Sequence, residues 1–244
     1  MSLDSLIVYE SKVSKVRVGT QNSDGGYVIA DISGYDLLLS CGISNDVSFE
    51  KDFLQRYPVK AYGFDGTVEG LPEPVDGLEF IRMNIGPSMT ESTTNMHSLI
   101  DSHNDIFLKM DIESYEFRWL HTLSHDQMKK FKQITIEIHF PFMEHDIAHF
   151  DLPLPLHEKM SVFDKLAENH WLIHIHGNNY CGITNYNGVD VPNVIECTYV
   201  RKDVQEFCGY NTIGVPHPLD RRNIPQMPEF YFSGYPYTGG PRTC

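Results

Sequence analysis

The chain has 244 residues, of which 41% are hydrophobic and 21% are charged, and its formal net charge is −14. This composition is that of an ordinary globular domain, and the negative charge argues against a broad surface for nucleic acid or anionic membranes. No apolar run reaches the roughly 18 residues that a membrane span requires, so we expect neither nucleic acid nor a membrane as a partner.

Five cysteines are scattered along the chain without a CxxC pair, at positions 41, 181, 197, 208 and 244. This spacing disfavours a structural zinc site built on thiolates. The first residues also lack the basic and apolar segments of a secretory signal. We therefore expect reduced cysteines and a cytoplasmic protein.

Apolar strand-like segments alternate with amphipathic helical segments, which is the pattern of a mostly parallel sheet with helices on both faces. A turn beginning at Asp24 leads into a short strand that ends at Ala30. Strands of the main sheet are predicted at 36–42, 59–65, 78–84, 105–111, 133–140, 171–176 and 194–200. Helices are predicted at 47–57, at 94–102, from 116 onward, at 124–131 and at 155–170.

Residues 1–244 contain no persuasive linker, internal repeat or low-complexity segment, which favours a single domain. The predicted fold class is α/β, with one Rossmann-like, doubly wound and mostly parallel seven-stranded sheet. We divide the chain into an amino-terminal part at 1–35, a core at 36–202 and a tail at 203–244. The tail is rich in Pro, Gly and Tyr after Gly209 and is expected to be irregular.

One strand runs directly into three acids, Asp111, Glu113 and Glu116. Because side chains alternate along a strand, Asp111 and Glu113 are expected on the same side, with Glu116 at the start of a helix. Carboxylates crowded at the end of a parallel strand are unfavourable unless a cation lies among them. A divalent metal, a sulfonium or a proton in transit would fit; solvated acids favoured by a helix dipole are the alternative.

A second motif follows the first main strand, which ends at Gly42 before small polar residues and a helix. The pattern is not G-x-G-x-x-G, and Asp46 near the helix start would repel a pyrophosphate but suit an amino group. Asp65 closes the next strand, where an acid binds ribose in doubly wound folds; a simple turn at Asp65 and Gly66 is the alternative. Together these residues favour S-adenosylmethionine, which has a ribose, an amino group and a sulfonium, over NAD.

Further polar residues lie near the ends of two later strands. Glu137 and His139 share one strand face, and His139 is a candidate metal ligand or base, or simply a hydrogen-bonded histidine. Carboxylate ligands favour Mg²⁺ or Mn²⁺, and a histidine is compatible with Mn²⁺ or Zn²⁺. The segment from His174 onward supplies an H-x-H pair that could bind a metal. We instead favour an acceptor pocket lined by its later polar residues, His176, Asn178 and Asn179.

The order of these motifs resembles a Rossmann-type class I methyltransferase. More specifically, it resembles the FkbM-like O-methyltransferases, in the branch with the methyltransferase-like 24 proteins and algal-virus glycan methyltransferases. The resemblance covers roughly residues 15–202, and its most specific part is the Asp-Ile-Glu-x-x-Glu block at 111–116. The other matching segments are 17–19, 24–27, 40–50, 62–65, 137–139, 174–179 and 196–201.

The resemblance implies an S-adenosylmethionine-dependent O-methyltransferase with a small-molecule or glycan acceptor. It implies that residues 1–35 form a cap over the cofactor, so that Gly25, Gly26 and Arg17 meet its methionine end. An arginine suits a carboxylate through two parallel hydrogen bonds. The candidate cofactor-binding residues are Arg17, Gly25, Gly26, Gly42, Asp46, Asp65, Gly66, Asn84 and Asp111.

Metal-dependent sugar O-methyltransferases carry a similar acid-x-acid-x-Tyr-Glu block, in which the first acid binds a divalent cation and the second is the base. The resemblance therefore implies Asp111 as a ligand of Mg²⁺ or Mn²⁺, together with Glu137 and His139. It implies catalytic roles for Glu113, Asp111 and His139, because a sugar hydroxyl must lose its proton as it attacks the methyl group.

Three other functions stay open. The first is a metal-dependent hydrolase that uses Asp111, His139, His174 and His176. The second is a non-catalytic glycan-binding relative, against which the presence of both Asp111 and Glu113 speaks. The third is a nicotinamide-dependent oxidoreductase, which the missing phosphate-binding loop disfavours.

Overall fold

A seven-stranded sheet forms the centre of the computed structural model, which describes residues 2–22, 24–143 and 154–242. Its strands, numbered along the chain, are β1 (Leu37–Cys41), β2 (Ala61–Phe64), β3 (Leu78–Ile81), β4 (Ile106–Met110), β5 (Phe131–His139), β6 (His170–Gly177) and β7 (Val194–Arg201). Their order across the sheet is 3-2-1-4-5-7-6. Only β7 runs against its neighbours. The predicted mostly parallel seven-stranded α/β sheet is confirmed, in a form compatible with a Rossmann-like fold.

Five helices connect the strands within the described residues: α1 (Ser48–Arg56), α2 (His97–Asp101), α3 (Glu116–Thr122), α4 (His125–Met128) and α5 (Leu156–Asn169). A single 3₁₀ turn spans Asp4–Leu6. Each predicted helix is present, but the one predicted at 124–131 is only one turn long. A capping box between Ser124 and Gln127 starts it, and β5 begins immediately after it.

Alternate side chains of β1 pack against different helices, as strand geometry requires. Leu38 belongs to one hydrophobic cluster with Phe53 of α1. Leu39 belongs to another, which includes Phe117 of α3 and Phe163 of α5. All five residues of β1 and of β4 are buried, which explains why these strands are nearly continuous apolar runs.

Three small ladders surround the main sheet. The amino-terminal hairpin pairs Lys15–Gly19 with Gly26–Ala30, and the outer hairpin pairs Ile183–Tyr186 with Val189–Pro192. The third ladder is parallel and joins Asn84–Ile85 to Thr93–Thr94. Two predictions were wrong at these residues. The strand predicted at 78–84 already ends at Ile81, and the helix predicted from Thr94 begins at His97, because Asn84 and Thr94 pair in this third ladder.

The tail contains isolated β-bridges but no helix or longer strand among its described residues, in agreement with the predicted irregular structure. None of the helices in the described ranges is long and apolar enough to cross a bilayer. The four cysteines in these ranges are unpaired. Met1, Ser23 and Cys244, which fall within the predicted domain, lie outside the described residues.

Candidate functional site

The chain changes direction in the sheet between β1 and β4. It runs outward from β1 to β2 and β3 and then returns to β4 on the other side of β1. In open α/β sheets such a switch point leaves a crevice at the carboxyl ends of the strands. A cavity of about 580 Å³ lies there, within the size range of small-molecule sites. Five of the predicted site residues line this one cavity: Gly42, Asp65, Asn84, Asp111 and Glu113.

Gly42 brings the ends of β1 and β4 together. Its φ is 81°, and a Cβ atom there would overlap the Asp111 carbonyl oxygen. The Asp111 N–H donates to the Cys41 carbonyl at 2.9 Å, and the Lys109 ammonium donates to the Gly42 carbonyl. Glycine is therefore required at this position for the close approach of two backbone segments as well as for access to the cavity.

Asp65 is fully engaged by hydrogen-bond donors. Its Oδ1 accepts from the Thr67 N–H at 2.7 Å and the Thr67 hydroxyl at 2.6 Å. Its Oδ2 accepts from the backbone N–H groups of Ile43 and Ser44 at 3.0 and 2.8 Å. Burial would raise the pKa of Asp65, but these hydrogen bonds outweigh it and lower the pKa below its ordinary value.

A carboxylate offers about four acceptor positions, and all four are used here. A ribose hydroxyl can thus reach Asp65 by displacing the Thr67 hydroxyl, which also lines the cavity. Thr67 is not among the residues that the sequence predicts for the site. Its place two residues after an aspartate, in an Asp-Gly-Thr turn, is the signal that could have found it.

The loop after β3 forms the opposite wall of the cavity. Asn84 lines it, and its side chain lies directly over Gly66, where a Cβ atom would overlap the Asn84 amide. Gly66 itself is not among the lining residues. Asn84 is the one predicted site residue of this wall, which also contains Met83, Ile85, Gly86, Pro87, Ser88, Thr90 and Thr93.

The remaining cofactor candidates lie at the turn of the amino-terminal hairpin. The Nε–H of Arg17 donates to the Thr20 carbonyl at 2.8 Å, and its guanidinium lies over Gly26. Gly25 lies against the carboxylate of Asp46, which accepts from the Ser48 N–H at 2.8 Å. These residues hold the hairpin against the start of α1, and none of the four candidates is part of the described cavity wall.

Beside the cavity, three predicted metal ligands come together. Asp111, Glu137 and His139 each offer one possible ligand atom, and these three atoms lie within 4.8 Å of one another. Oδ1 of Asp111 is buried and has no hydrogen-bond partner among the described residues, while Oδ2 accepts from the Tyr27 hydroxyl at 3.4 Å. Two carboxylates, one of which has an unsatisfied buried oxygen, and an imidazole form a donor set that suits a divalent cation such as Mn²⁺ or Mg²⁺.

We define Asp111, Glu137 and His139 as the acid cluster. The pKa shifts within it also favour a bound cation. Burial and then the charge of Asp111 raise the pKa of Glu137 well above its ordinary value, against one hydrogen bond from Asn178 at 2.9 Å. Burial would lower the pKa of His139, but the surrounding carboxylates, Glu116 first, raise it to about 10. The cluster therefore favours positive charge at its centre.

Glu116 fixes the turn that carries the other acids. Its carboxylate is fully buried, and Oε1 accepts from the N–H groups of Ile112 and Ser114 at 3.1 and 3.2 Å. The same oxygen lies 3.1 Å from Nδ1 of His139. The D-x-E-x-x-E spacing is a visible signal, but it gave Glu116 no role in the sequence analysis.

Glu113 faces the cavity for a different reason from the one expected. The strand ends at Met110, so strand alternation does not orient Glu113; it has a left-handed φ of 53°, followed by 80° at Ser114. Its mostly exposed side chain has Oε2 3.4 Å from Nε2 of His139. Partial burial raises the pKa of Glu113, as do the neighbouring carboxylates, against the opposite effect of His139.

The three predicted acceptor residues have separate surroundings. His176 is buried, with Nδ1 3.2 Å from Glu196 and Nε2 3.5 Å from Glu229. Asn179 is also buried and donates to three carbonyls of the tail, those of Ile224, Met227 and Pro228. Asn178 alone of the three contacts the acid cluster, through Glu137.

The ligand set of the hydrolase alternative is not gathered in one place. His174 hydrogen-bonds to Asp220 of the tail at 2.9 Å. Among the described residues, the acid cluster is the group of three or more His, Cys, Asp and Glu side chains whose ligand atoms lie close enough to share an ion, and it contains neither His174 nor His176.

Comparison of the sequence with protein-family models and with curated proteins found no match. The resemblance described above therefore remains a prediction from motifs.

Proposed function

We propose that this protein is an S-adenosylmethionine-dependent O-methyltransferase of the FkbM-like kind that methylates a hydroxyl of a sugar or glycan. The observation that carries the proposal is the shared cavity at the switch point, which Gly42, Asp65, Asp111 and Glu113 line together. A methyl-donor site and a proton acceptor are thus adjacent at one edge of the sheet, as transfer to an alcohol requires.

The strand order supports a doubly wound class I methyltransferase. The run 3-2-1-4-5 is that of Rossmann-type sheets. β7 lies antiparallel between β5 and β6, so the sheet is mostly and not wholly parallel. Helices α1 and α3 pack against alternate side chains of β1, which supports helices on both faces.

The charges around the cavity suit the methyl donor, which is a substrate consumed in the reaction. Asp65, Asp111 and Glu113 present carboxylates to it, which favours a ligand with cationic groups and disfavours a pyrophosphate. S-adenosylmethionine supplies a methyl carbon already activated by its sulfonium. The protein's part is to align that carbon with an acceptor oxygen and to take up one proton.

Glu113 is the proposed proton acceptor. Its carboxylate is accessible from the cavity, and its raised pKa brings it closer to the pH at which a general base works best. As the acceptor oxygen bonds to the methyl carbon, its proton passes to Glu113 and the carbon–sulfur bond breaks, leaving the electron pair on sulfur. The exposed carboxyl then releases the proton to solvent.

Asp111, Glu137 and His139 are the proposed ligands of a divalent cation. A cation held there would lower the pKa of the acceptor hydroxyl and orient it. Glu116 accepts from Nδ1–H of His139, which leaves Nε2 of the imidazole as the ligand atom. This arrangement of a carboxylate behind a ligating histidine is common at metal sites.

Calorimetric titration with S-adenosylmethionine, S-adenosylhomocysteine and NAD⁺ tests the proposal. We expect saturable binding of the first two and none of NAD⁺. The Asn84→Ala variant should bind the two ligands more weakly, because it removes a polar group from the cavity wall, whereas Asn185→Ala on the outer hairpin should not. Binding of NAD⁺ in place of the methionine ligands would overturn the proposal.

A further inference from the structure

The carboxylate of Asp65, the predicted ribose ligand, is already bound by a side chain of the protein itself. Asp65 and Thr67 both line the cavity. The Thr67 hydroxyl donates to Oδ1 of Asp65 at 2.6 Å, which is the shortest of the four hydrogen bonds that this carboxylate accepts. A hydroxyl of the protein thus takes the acceptor position that a ribose hydroxyl would need.

The four donors to Asp65 differ in how easily a ligand can replace them. The Ile43 and Ser44 N–H groups belong to the backbone after Gly42, where Ser44 has a left-handed φ of 49°, so their loss requires that backbone to move. The Thr67 N–H, 2.7 Å from Oδ1, is likewise part of the backbone. Of the four donors, the Thr67 hydroxyl alone can leave by rotation about one side-chain bond, and Thr67 is exposed, which leaves room for that rotation.

The Thr67 hydroxyl competes well with a ligand because it is tethered beside the carboxylate. The N–H of the same residue binds the same oxygen of Asp65 and keeps the side chain close by even when the hydroxyl has turned away. A tethered group competes at a far higher effective concentration than a free molecule. Since both hydroxyls would bond to the same charged oxygen, exchanging one for the other yields little net free energy.

We propose that Thr67 is an intramolecular competitor for the ribose of the methyl donor and thereby weakens the protein's affinity for ribonucleoside ligands. This inference rests on the proposed function. In the empty site the Thr67 hydroxyl satisfies Asp65, and on binding one ribose hydroxyl takes its place. The carboxylate keeps its hydrogen bonds throughout, so the spent donor, S-adenosylhomocysteine, leaves without stranding a buried charge.

The same exchange determines how the protein responds to a deoxyribose ligand. A ligand without the hydroxyl that faces Asp65 does not displace Thr67, so the carboxylate keeps all four donors and little affinity is lost. If the Thr67 hydroxyl is removed, such a ligand leaves one acceptor position of Asp65 without a protein or ligand donor. Loss of that ribose hydroxyl should therefore cost more affinity in a variant without the Thr67 hydroxyl than in the wild type.

Calorimetric titration of the wild type, Thr67→Val and Thr67→Ser with S-adenosylhomocysteine and its 2′-deoxy and 3′-deoxy analogues tests this inference. Valine keeps the branched shape of threonine without its hydroxyl. We expect Thr67→Val to bind S-adenosylhomocysteine about 3- to 10-fold more tightly than the wild type, because the ribose no longer has to displace a protein group. Thr67→Ser keeps the hydroxyl and should bind like the wild type. At least one deoxy analogue should bind the wild type and Thr67→Val equally, since it does not compete with Thr67.

Thr212→Val is the matched control, because the N–H and the hydroxyl of Thr212 also donate to one carboxylate oxygen, Oε1 of Glu10, and neither residue lines the cavity. Unchanged or weaker binding of S-adenosylhomocysteine by Thr67→Val would overturn the inference, and weaker binding would mean that Thr67 contacts the ligand instead of competing with it. An equal gain in Thr67→Ser or Thr212→Val, or an equal gain for both deoxy analogues, would also overturn it. A wild type that binds neither S-adenosylmethionine nor S-adenosylhomocysteine would instead refute the proposed function itself, and the inference with it.

Discussion

At the level of single side chains, Glu113 has the clearest expected effect. Glu113→Gln keeps the shape of the side chain but removes its ability to take a proton. We expect turnover to fall by about 10² or more with nearly unchanged affinity for S-adenosylmethionine, as for loss of a general base. Single-turnover methyl transfer and calorimetry measure the two quantities. Glu206→Gln changes an exposed acid of the tail and is the control. Unchanged turnover in Glu113→Gln would show that Glu113 is not the general base.

Tyr27 is a second single residue that affects the site, although the sequence assigned it no role. Its ring is buried against Phe49 with centroids 5.7 Å apart, and its hydroxyl reaches Asp111 at 3.4 Å. Burial and the charge of Asp111 raise the pKa of Tyr27 well above its ordinary value, so the hydroxyl stays a donor. It therefore engages Oδ2 of Asp111, whereas Oδ1 is buried and has no hydrogen-bond partner among the described residues.

Tyr27→Phe removes that hydrogen bond and keeps the packing. We expect the dissociation constant for Mn²⁺, measured by electron paramagnetic resonance, to rise by roughly 10- to 100-fold, the range for loss of a hydrogen-bond partner behind a metal ligand. Tyr57→Phe is the matched control, since the Tyr57 hydroxyl also donates to an aspartate, Asp31, away from the site. Equal Mn²⁺ affinity in wild type and Tyr27→Phe would show that the hydroxyl does not orient Asp111.

At the level of turns and strands, the segment 111–116 depends on one buried acid. Glu116 accepts two backbone N–H groups of the turn and one imidazole N–H. Glu116→Ala would leave these buried donors unsatisfied, and we expect a loss of about 2–5 kcal/mol in the free energy of unfolding. Glu116→Gln retains a carbonyl acceptor and should lose less. Urea unfolding of both variants gives the comparison; equal losses would mean that the acceptor is not what stabilises the turn.

The same segment illustrates what a sequence pattern can and cannot predict. Strand periodicity located β1, β2 and β4, and therefore brought Gly42, Asp65 and Asp111 to one edge. It could not predict the left-handed φ of Glu113 and Ser114, because these arise from the contacts of Glu116. Asp65 was found by its place after a strand, but two of its four hydrogen-bond donors are backbone N–H groups of another loop, those of Ile43 and Ser44.

Contacts between distant parts of the chain were also beyond the sequence pattern. His176 and Asn179 have the residue types of an acceptor pocket, but their partners in the tail, Glu229 and residues 224–228, lie some 45 or more positions later. Nothing in local composition indicates such a pairing. The Pro-rich and Tyr-rich tail was correctly predicted as irregular, yet it supplies specific hydrogen bonds to the end of β6.

For the protein as a whole, the buried histidines set opposite pH dependences of stability. His139 and His176 have pKa values raised to about 10 and about 11, above the ordinary 6.5, despite burial, because carboxylates face them. Their contributions are fully present below pH 6.5 and are lost as the pH rises toward those values. His170 has a pKa lowered to about 4 by burial, and its imidazole donates to the Phe131 carbonyl at 2.8 Å.

The lowered pKa of His170 predicts a loss of stability in mild acid. Between pH 6.5 and about 4, the unfolded chain binds a proton at this histidine and the folded protein does not, so the free energy of unfolding falls as the pH falls. For this group alone the expected loss at pH 5 is about 2 kcal/mol relative to pH 7.5. His170→Gln lacks this titrating group. Between pH 7.5 and pH 5, its free energy of unfolding should therefore fall by about 2 kcal/mol less than that of the wild type.

Urea titrations at pH 7.5, 6 and 5 measure the difference in slope directly. The exposed His121→Gln variant is the control and should follow the wild type. Because all the other titrating groups are common to the compared proteins, a difference between His170→Gln and wild type isolates one buried imidazole. Parallel curves for the two proteins would show that His170 gains its proton equally easily in the folded and unfolded states, and hence that its burial has no effect on acid stability.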